Sequence, residues 1–296
     1  MNPREAALHA GRPSVLGQGL IPAVRRHPLV GYFALAYGVS WVVELVLFTV
    51  LRLPTALVVP FVTLGPTSAA LVMTAILEGR PGIGRLLQRM RIGRVGGRWY
   101  LVALLAIPLV YLAGTLVLPG VLGSFTSASP ARWVVEYAVI LTLGAVIGGP
   151  LFEEPGWRGF ALPRLQAQMT PLRSSLLLGV LWAAWHFPQF LMPEWADQNG
   201  GLQASSVAVF TLTVMSITVI MTWVFNHTRG SLLLAILVHS SVNTSQVMVN
   251  ELFPNAANTE LNALIGYGTV ALALILVTRG RLGYGATEPV NVQQVR

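Results

Sequence analysis

Three short patches place ionisable or amide side chains inside otherwise apolar stretches: Glu153-Glu154 with Arg158, then His186, then His239 with Asn243. A charge or imidazole at membrane depth is costly, so each is a functional-site hypothesis by default. Two carboxylates, two imidazoles, an amide and a guanidinium are the parts needed to activate a water and hold a developing oxyanion.

The first patch reads Gly148-Gly149-Pro150-Leu151-Phe152-Glu153-Glu154-Pro155-Gly156-Trp157-Arg158. Two adjacent carboxylates in a low-dielectric site cannot both ionise freely, which suits one of them to general acid or base work. Arg158 follows Glu154 by four residues, the spacing of one helical face. Read blandly, this is an acidic pair neutralised at the headgroup level. In the second patch His186 lies between Trp185 and Phe187, with Pro188 able to free a backbone carbonyl beside it. Its bland reading is a hydrogen bond to a neighbouring helix. In the third patch His239 and Asn243 share a helical face, and the bland reading is interhelical polar glue helped by Ser240, Ser241 and Thr244. Each bland reading stands alone, but together they require three separate costly insertions. Sparse polar residues converging across helices is how bundle-core sites are built.

The elements that must position these groups are membrane helices. The chain is 54% hydrophobic and 10% charged, with net charge +8, against roughly 25% charged residues in a soluble domain. An all-α polytopic bundle is expected, with spans at 30–51, 56–77, 99–118, 132–152, 174–192, 204–226, 231–249 and 261–279. Each approaches the ~20 residues that a bilayer needs. Residues 1–29 read as a cytoplasmic arm without a signal peptide, 30–280 as the membrane domain with its motif core at 130–250, and 281–296 as a polar tail. All 19 basic residues are arginine. With eight spans, 17 of these fall on one side, and only Arg52 and Arg132 on the other, which instead carries Glu194, Asp197, Glu251 and Glu260. The positive-inside rule then places both termini in the cytoplasm, and the polar patches are compatible with a cavity opening on that side.

Several functions are excluded or disfavoured. The chain has no cysteine, hence no disulfide, thiolate metal site or cysteine nucleophile. No Gly-x-Ser-x-Gly elbow and no His-Glu-x-x-His pair is present, and Asp197 is the sole aspartate, which rules out an aspartyl dyad. The segment from Arg80 to Trp99 interleaves six arginines with Ile83, Leu86, Leu87, Met90 and Ile92. This pattern fits a surface helix on anionic headgroups. No aromatic or groove-reading pattern accompanies it, so no nucleic-acid partner is expected. Glu44 and Glu136 are isolated and read as structural, and His227 as interfacial.

Glu153-Glu154-x-x-x-Arg158, then an aromatic-x-x-x-His ending at His186, then His239-x-x-x-Asn243 resembles the signature of the CAAX protease and bacteriocin-processing (CPBP) intramembrane proteases. One departure is Trp182 where phenylalanine is usual. The resemblance implies an intramembrane endopeptidase acting on a membrane-associated peptide or protein substrate, which need not be a CAAX tail. It implies that Glu153 and His186 activate water, Glu154 and Arg158 order the acidic site, and His239 and Asn243 stabilise the oxyanion. The family has been described both as metal-dependent and as metal-free. A divalent metal such as zinc therefore stays open, with Glu153, His186 and His239 as candidate ligands. Membrane lipids are the other expected partner. Two rival readings use the same residues: a proton- or cation-coupled transporter, disfavoured by the absence of an internal repeat, and a catalytically idle immunity or scaffold protein of the same fold.

Overall fold

A computed structural model describes residues 15–126, 129–256 and 261–285. The first part of the expected N-terminal arm (residues 1–14, with Arg4 and Arg12), Glu260 and the tail beyond 285 with Arg296 lie outside the described residues. The protein is 83% helical without strands among the described residues, as a chain that must satisfy every backbone group within lipid requires.

A short helix α1 (Val15–Arg26) leads into α2 (Pro28–Val50). The next helix, α3 (Thr55–Arg91), bends at Gly79. Then come α4 (Arg98–Leu116) and α5 (Pro130–Ile147). Helix α6 is composite, formed by Pro150–Glu154, a π-helical turn Pro155–Ala161 and Leu162–Gln166. It is followed by α7 (Pro171–Trp185), α8 (Pro193–Gln198), α9 (Ala204–His227), α10 (Leu232–Leu252) and α11 (Leu261–Thr278). Seven of these helices are long and apolar enough to cross a membrane: α2, α3, α4, α5, α9, α10 and α11. The chain is a multi-pass integral membrane protein.

Two segments differ from the sequence reading. The expected span 174–192 is the 15-residue helix α7, which stops at Trp185 and continues as a tight turn over Phe187–Leu191. Pro188 explains the stop, since it supplies no N–H to prolong the ladder. The expected span 132–152 breaks at Gly148-Gly149, inside the bundle rather than at its edge. Arg158 is therefore no loop residue but lies fully buried on α6.

Lipid tails give helices no hydrophobic reason to associate, so small residues and hydrogen bonds set the contacts. On α4 and α11 the backbones cross closely. A Cβ on Gly114 would fall 2.1 Å from the Asn262 carbonyl oxygen, and one on Gly266 2.3 Å from that of Val110. Asn262 Nδ2 donates to Thr115 Oγ1 beside this crossing (3.0 Å). Ser40 Oγ on α2 donates to the Val62 carbonyl on α3 (2.7 Å), and the hydroxyls of Ser175 on α7 and Thr222 on α9 meet at 3.1 Å. Helix α5 is the outlier. None of its residues is buried, and it is held on α10 by the Tyr137 hydroxyl, 3.0 Å from Ser241 Oγ and donating to the Leu104 carbonyl (2.9 Å).

The arginine-bearing segments gather at one end of the bundle. Glu78 accepts from Arg85 (2.7 Å) and from Arg164 (2.5 Å), and Arg89 Nη1 donates to the Gly159 carbonyl (3.2 Å). Arg229 Nη2 donates to the Arg94 carbonyl (2.5 Å), and Ser231 Oγ to that of Ile92 (2.6 Å). Asn226 Nδ2 reaches the Leu282 carbonyl at the same end (2.9 Å). His227 packs there between Trp99 and Trp223, and Arg132–Glu136 is an exposed pair on α5 at the other end (2.6 Å).

Candidate active site

The break at Gly148-Gly149 sets the start of α6. Gly149 has φ 107°, a conformation that L side chains avoid, and a Cβ on it would fall 2.3 Å from Glu153 Oε1. Glycine thus allows both the turn and the close approach of the carboxylate. The π-helical turn that follows carries Trp157 and Arg158 inward; such turns recur at functional sites.

Glu153 is 3% exposed. Its Oε2 accepts from the indole N–H of Trp157 (3.2 Å) and of Trp182 on α7 (2.9 Å), leaving Oε1 without a hydrogen-bond partner among the described residues. Glu154, one residue on, points elsewhere and is fully buried. Its Oε1 accepts from Arg158 Nη1 (3.0 Å) and from His239 Nδ1 on α10 (2.8 Å). The Arg158 guanidinium also lies over the Trp182 ring, 4.3 Å from its centroid. A buried charge pair needs this density of partners to offset its desolvation.

Both imidazoles are oriented through Nδ1. His186 Nδ1 lies 2.8 Å from the Trp182 carbonyl oxygen. A carbonyl only accepts, so Nδ1 carries the proton and Nε2 is left as an acceptor. The ring is held edge-on to Trp185 and Phe210, at 4.7 and 5.4 Å between centroids. His239 is fixed by Glu154 and stands edge-on to Trp182 at 5.0 Å. A carboxylate behind an imidazole sets its tautomer and ring orientation.

Glu153, His186, His239 and Asn243 line one cavity of about 210 Å³. The cavity also takes in Trp182, Trp185 and Trp195, with amides from Gln189, Gln198, Asn199 and Gln246. Asn243 faces it from the turn after His239 and makes no hydrogen bond to other described residues. Glu154 and Arg158 stand behind the wall rather than on it. The six candidate residues thus divide into four that reach the cavity and two that brace it.

The cavity lies in the half of the bundle away from the arginine-rich loops. His186 follows the 15 residues of α7, about 22 Å from the arginine end. Phe210, which touches it, is only six residues beyond the start of α9 at Ala204, about 9 Å from the other end. Counting along single helices from the arginine end could not reveal this, because α6 runs on past the glutamates for most of its length before reaching that end.

The candidate metal ligands Glu153, His186 and His239 share the cavity wall, yet no group of three His, Asp or Glu side chains among the described residues is placed to hold a metal ion. Tetrahedral zinc needs donors at about 2.0–2.2 Å, and each imidazole is engaged through Nδ1, which leaves Nε2 as its one nitrogen open to a ligand. The arrangement of the described residues gives a metalloprotease reading no support.

Sequence reasoning missed the ties between patches. The Glu154–His239 pair joins residues 85 apart, a separation that leaves no spacing signal. The indole contacts to Glu153 were hinted at only by Trp182 itself, whose N–H does what a phenylalanine there could not.

A multi-pass membrane bundle with a carboxylate, two oriented imidazoles and an amide around an internal cavity belongs to the class of intramembrane polar sites. Residues 134–245, which hold every motif residue, match the family model described as "Type II CAAX prenyl endopeptidase Rce1-like". The chain is also 28% identical over 152 residues to the "CAAX prenyl protease 2" of Methanococcus maripaludis, covering 50% of this chain and 55% of that protein. The matched stretch thus spans about half of the relative's length. The resemblance to the CPBP proteases is thereby shown for the segment that carries the three patches.

Proposed function

We propose that the protein is an intramembrane endopeptidase that hydrolyses a peptide bond of a membrane-associated substrate. The observation that carries this reading is the convergence of Glu153, His186, His239 and Asn243, from three separate helical segments, on one cavity.

The chemistry follows from the free atoms. Glu153 Oε1 takes a proton from a water in the cavity, and the water oxygen bonds to the substrate carbonyl carbon. His186 Nε2, an acceptor, holds the other water proton and aims the lone pair. The carbonyl π-bond opens to an oxyanion, which receives hydrogen bonds from Asn243 Nδ2 and from His239 Nε2 in its protonated form. Glu154, already charge-paired with Arg158, stabilises that imidazolium through Nδ1. Collapse breaks the C–N bond, and the leaving amine takes the proton held by Glu153. Both indole donors on Oε2 fix which oxygen of Glu153 works as the base.

Purified Glu153→Ala and His186→Ala proteins in detergent or vesicles, offered a model membrane peptide, test this. Loss of cleavage with unchanged thermal unfolding is expected for both; unchanged turnover in either would sink the assignment.

A further inference from the structure

We propose that a phosphate group binds where α3 meets α6, on a cluster of three arginines that share one carboxylate. None of these four residues lines the cavity, and the proposal stands apart from the proteolytic reading.

A bend assembles the cluster. Gly79 takes φ 65° and ψ −161°, which interrupts α3 just after Glu78. A Cβ on Gly82 would fall 2.4 Å from Glu78 Cβ and 2.8 Å from its Oε2, so glycine there lets the carboxylate fold back over the next turn. Its Oε2 then accepts from Arg85 Nη2 (2.7 Å) and its Oε1 from Arg164 Nη2 on α6 (2.5 Å). Arg89 stands one turn past Arg85 and is half-buried. Its Nη1 donates to the Gly159 carbonyl (3.2 Å), and no carboxylate among the described residues forms an ion pair with it. The charged groups within its electrostatic reach are Arg164, Glu78 and Arg85. A Cβ on Gly159 would fall 2.6 Å from Leu86 Cδ1, so the cluster sits on a tight contact between α3 and the π-helical turn of α6.

Three guanidinium groups face one carboxylate, which leaves a local charge of +2. The Glu78 and Arg164 side chains are only 23% and 16% exposed, so solvent ions screen this excess poorly. Donors remain to receive an anion: Nε and Nη2 of Arg89 and Nη1 of Arg85 make no hydrogen bond among the described residues. A planar guanidinium fork matches the oxygens of a phosphate, and such pairs are charge-assisted. Depth favours a lipid as its source. The helical rise from Thr55 to Glu78 is about 34 Å, close to the ~30 Å of a hydrocarbon core, which sets the cluster at headgroup level. Leu87, between Arg85 and Arg89 in sequence, is 45% exposed and offers apolar surface beside them. Basic pockets between membrane helices hold anionic headgroups in this way. A phosphate here bridges α3 to α6 and braces the turn that carries Arg158.

Thermal unfolding of the full chain in detergent tests this, with dioctanoyl phosphatidylglycerol, dioctanoyl phosphatidylcholine or inorganic phosphate added. Phosphatidylglycerol should raise Tm saturably, and phosphatidylcholine, whose phosphate is neutralised by its own choline, should not. A response to phosphatidylglycerol alone assigns the site to a headgroup. An equal response to inorganic phosphate supports the site and assigns it to the free anion. Arg89→Gln should raise the half-saturating concentration about 10-fold or more, while Arg94→Gln, an exposed arginine outside the cluster, should leave it unchanged. Glu78→Gln removes the opposing charge and should tighten phosphate binding while lowering the starting Tm, a pairing of effects that a purely structural cluster does not produce. Native mass spectrometry of the parent protein gives a readout free of variants: one phosphatidylglycerol should be retained in preference to phosphatidylcholine. No response to either phosphatidylglycerol or inorganic phosphate overturns the proposal. Equal weakening by Arg89→Gln and Arg94→Gln also overturns it, since diffuse surface charge would then account for the effect.

Discussion

His239 and Glu154 meet across 85 residues of chain, with Nδ1 donating to Oε1 at 2.8 Å inside the membrane bundle. The same oxygen also holds Arg158. One carboxylate oxygen thus fixes the imidazole of α10 and the guanidinium of α6 together, and both depend on its charge.

Glu154→Gln removes that charge while keeping shape. Arg158, fully buried, is left without its ion partner, and breaking such a pair costs about 3–5 kcal/mol. The variant is expected to unfold much earlier in a thermal or denaturant titration, and adding Arg158→Met should recover most of the stability without recovering turnover. Stability equal to the parent would refute the pairing.

Trp182→Phe keeps an aromatic wall beside His239 and Arg158 but deletes the N–H on Glu153. A hydrogen bond to a charged group contributes about 1.5–3 kcal/mol, so turnover should fall roughly 10-fold to 100-fold if that bond orients the base in the transition state. Substrate affinity should stay put. Kinetics that separate kcat from KM check this; a change confined to KM would place Trp182 in binding instead.

Asn243→Ala deletes a cavity-facing amide that makes no hydrogen bond to other described residues. Loss of one oxyanion donor lowers turnover by about 10²–10³-fold. Single-turnover cleavage measures it, with Asn243→Gln as a control that keeps the amide but misplaces it. Parent-like rates in Asn243→Ala would remove the residue from the mechanism.

Gly149→Ala meets two obstacles at once, a φ of 107° and a Cβ placed 2.3 Å from Glu153 Oε1. Backbone strain of this type costs about 1–3 kcal/mol. Turnover should drop further than stability does, because relief of the clash must displace the base. Comparing melting and cleavage in the same preparation tests that ordering.

Chelation addresses the metal question. The candidate ligands form no three-donor group, so o-phenanthroline or EDTA should leave turnover unchanged. A loss reversed by added zinc would mean that the side chains rearrange around an ion, and the water-activation scheme would need rebuilding.

Much of the architecture was legible in composition and charge. Hydropathy located seven long helices, and several arginine-bearing segments meet one another, through Glu78 and the Arg94 carbonyl. The three polar patches were legible because Glu, His and Asn are so rare in these stretches. Periodicity could not reveal how they join. The fourth expected span looked continuous through Leu151 and Phe152, since apolar residues on both sides of Gly148-Gly149 hide a break that only backbone angles expose. The fifth looked long enough until Pro188 ended it.

The diglycine joint has a mechanical consequence. Helix α5, with no buried residue, meets the bundle on one side only and passes directly into the segment bearing Glu153. Such a stave adjusts its tilt to the thickness of the surrounding hydrocarbon. Acyl-chain length would then act on the base through a pivot two residues wide, making the lipid composition of a reconstituted vesicle a dial on rate.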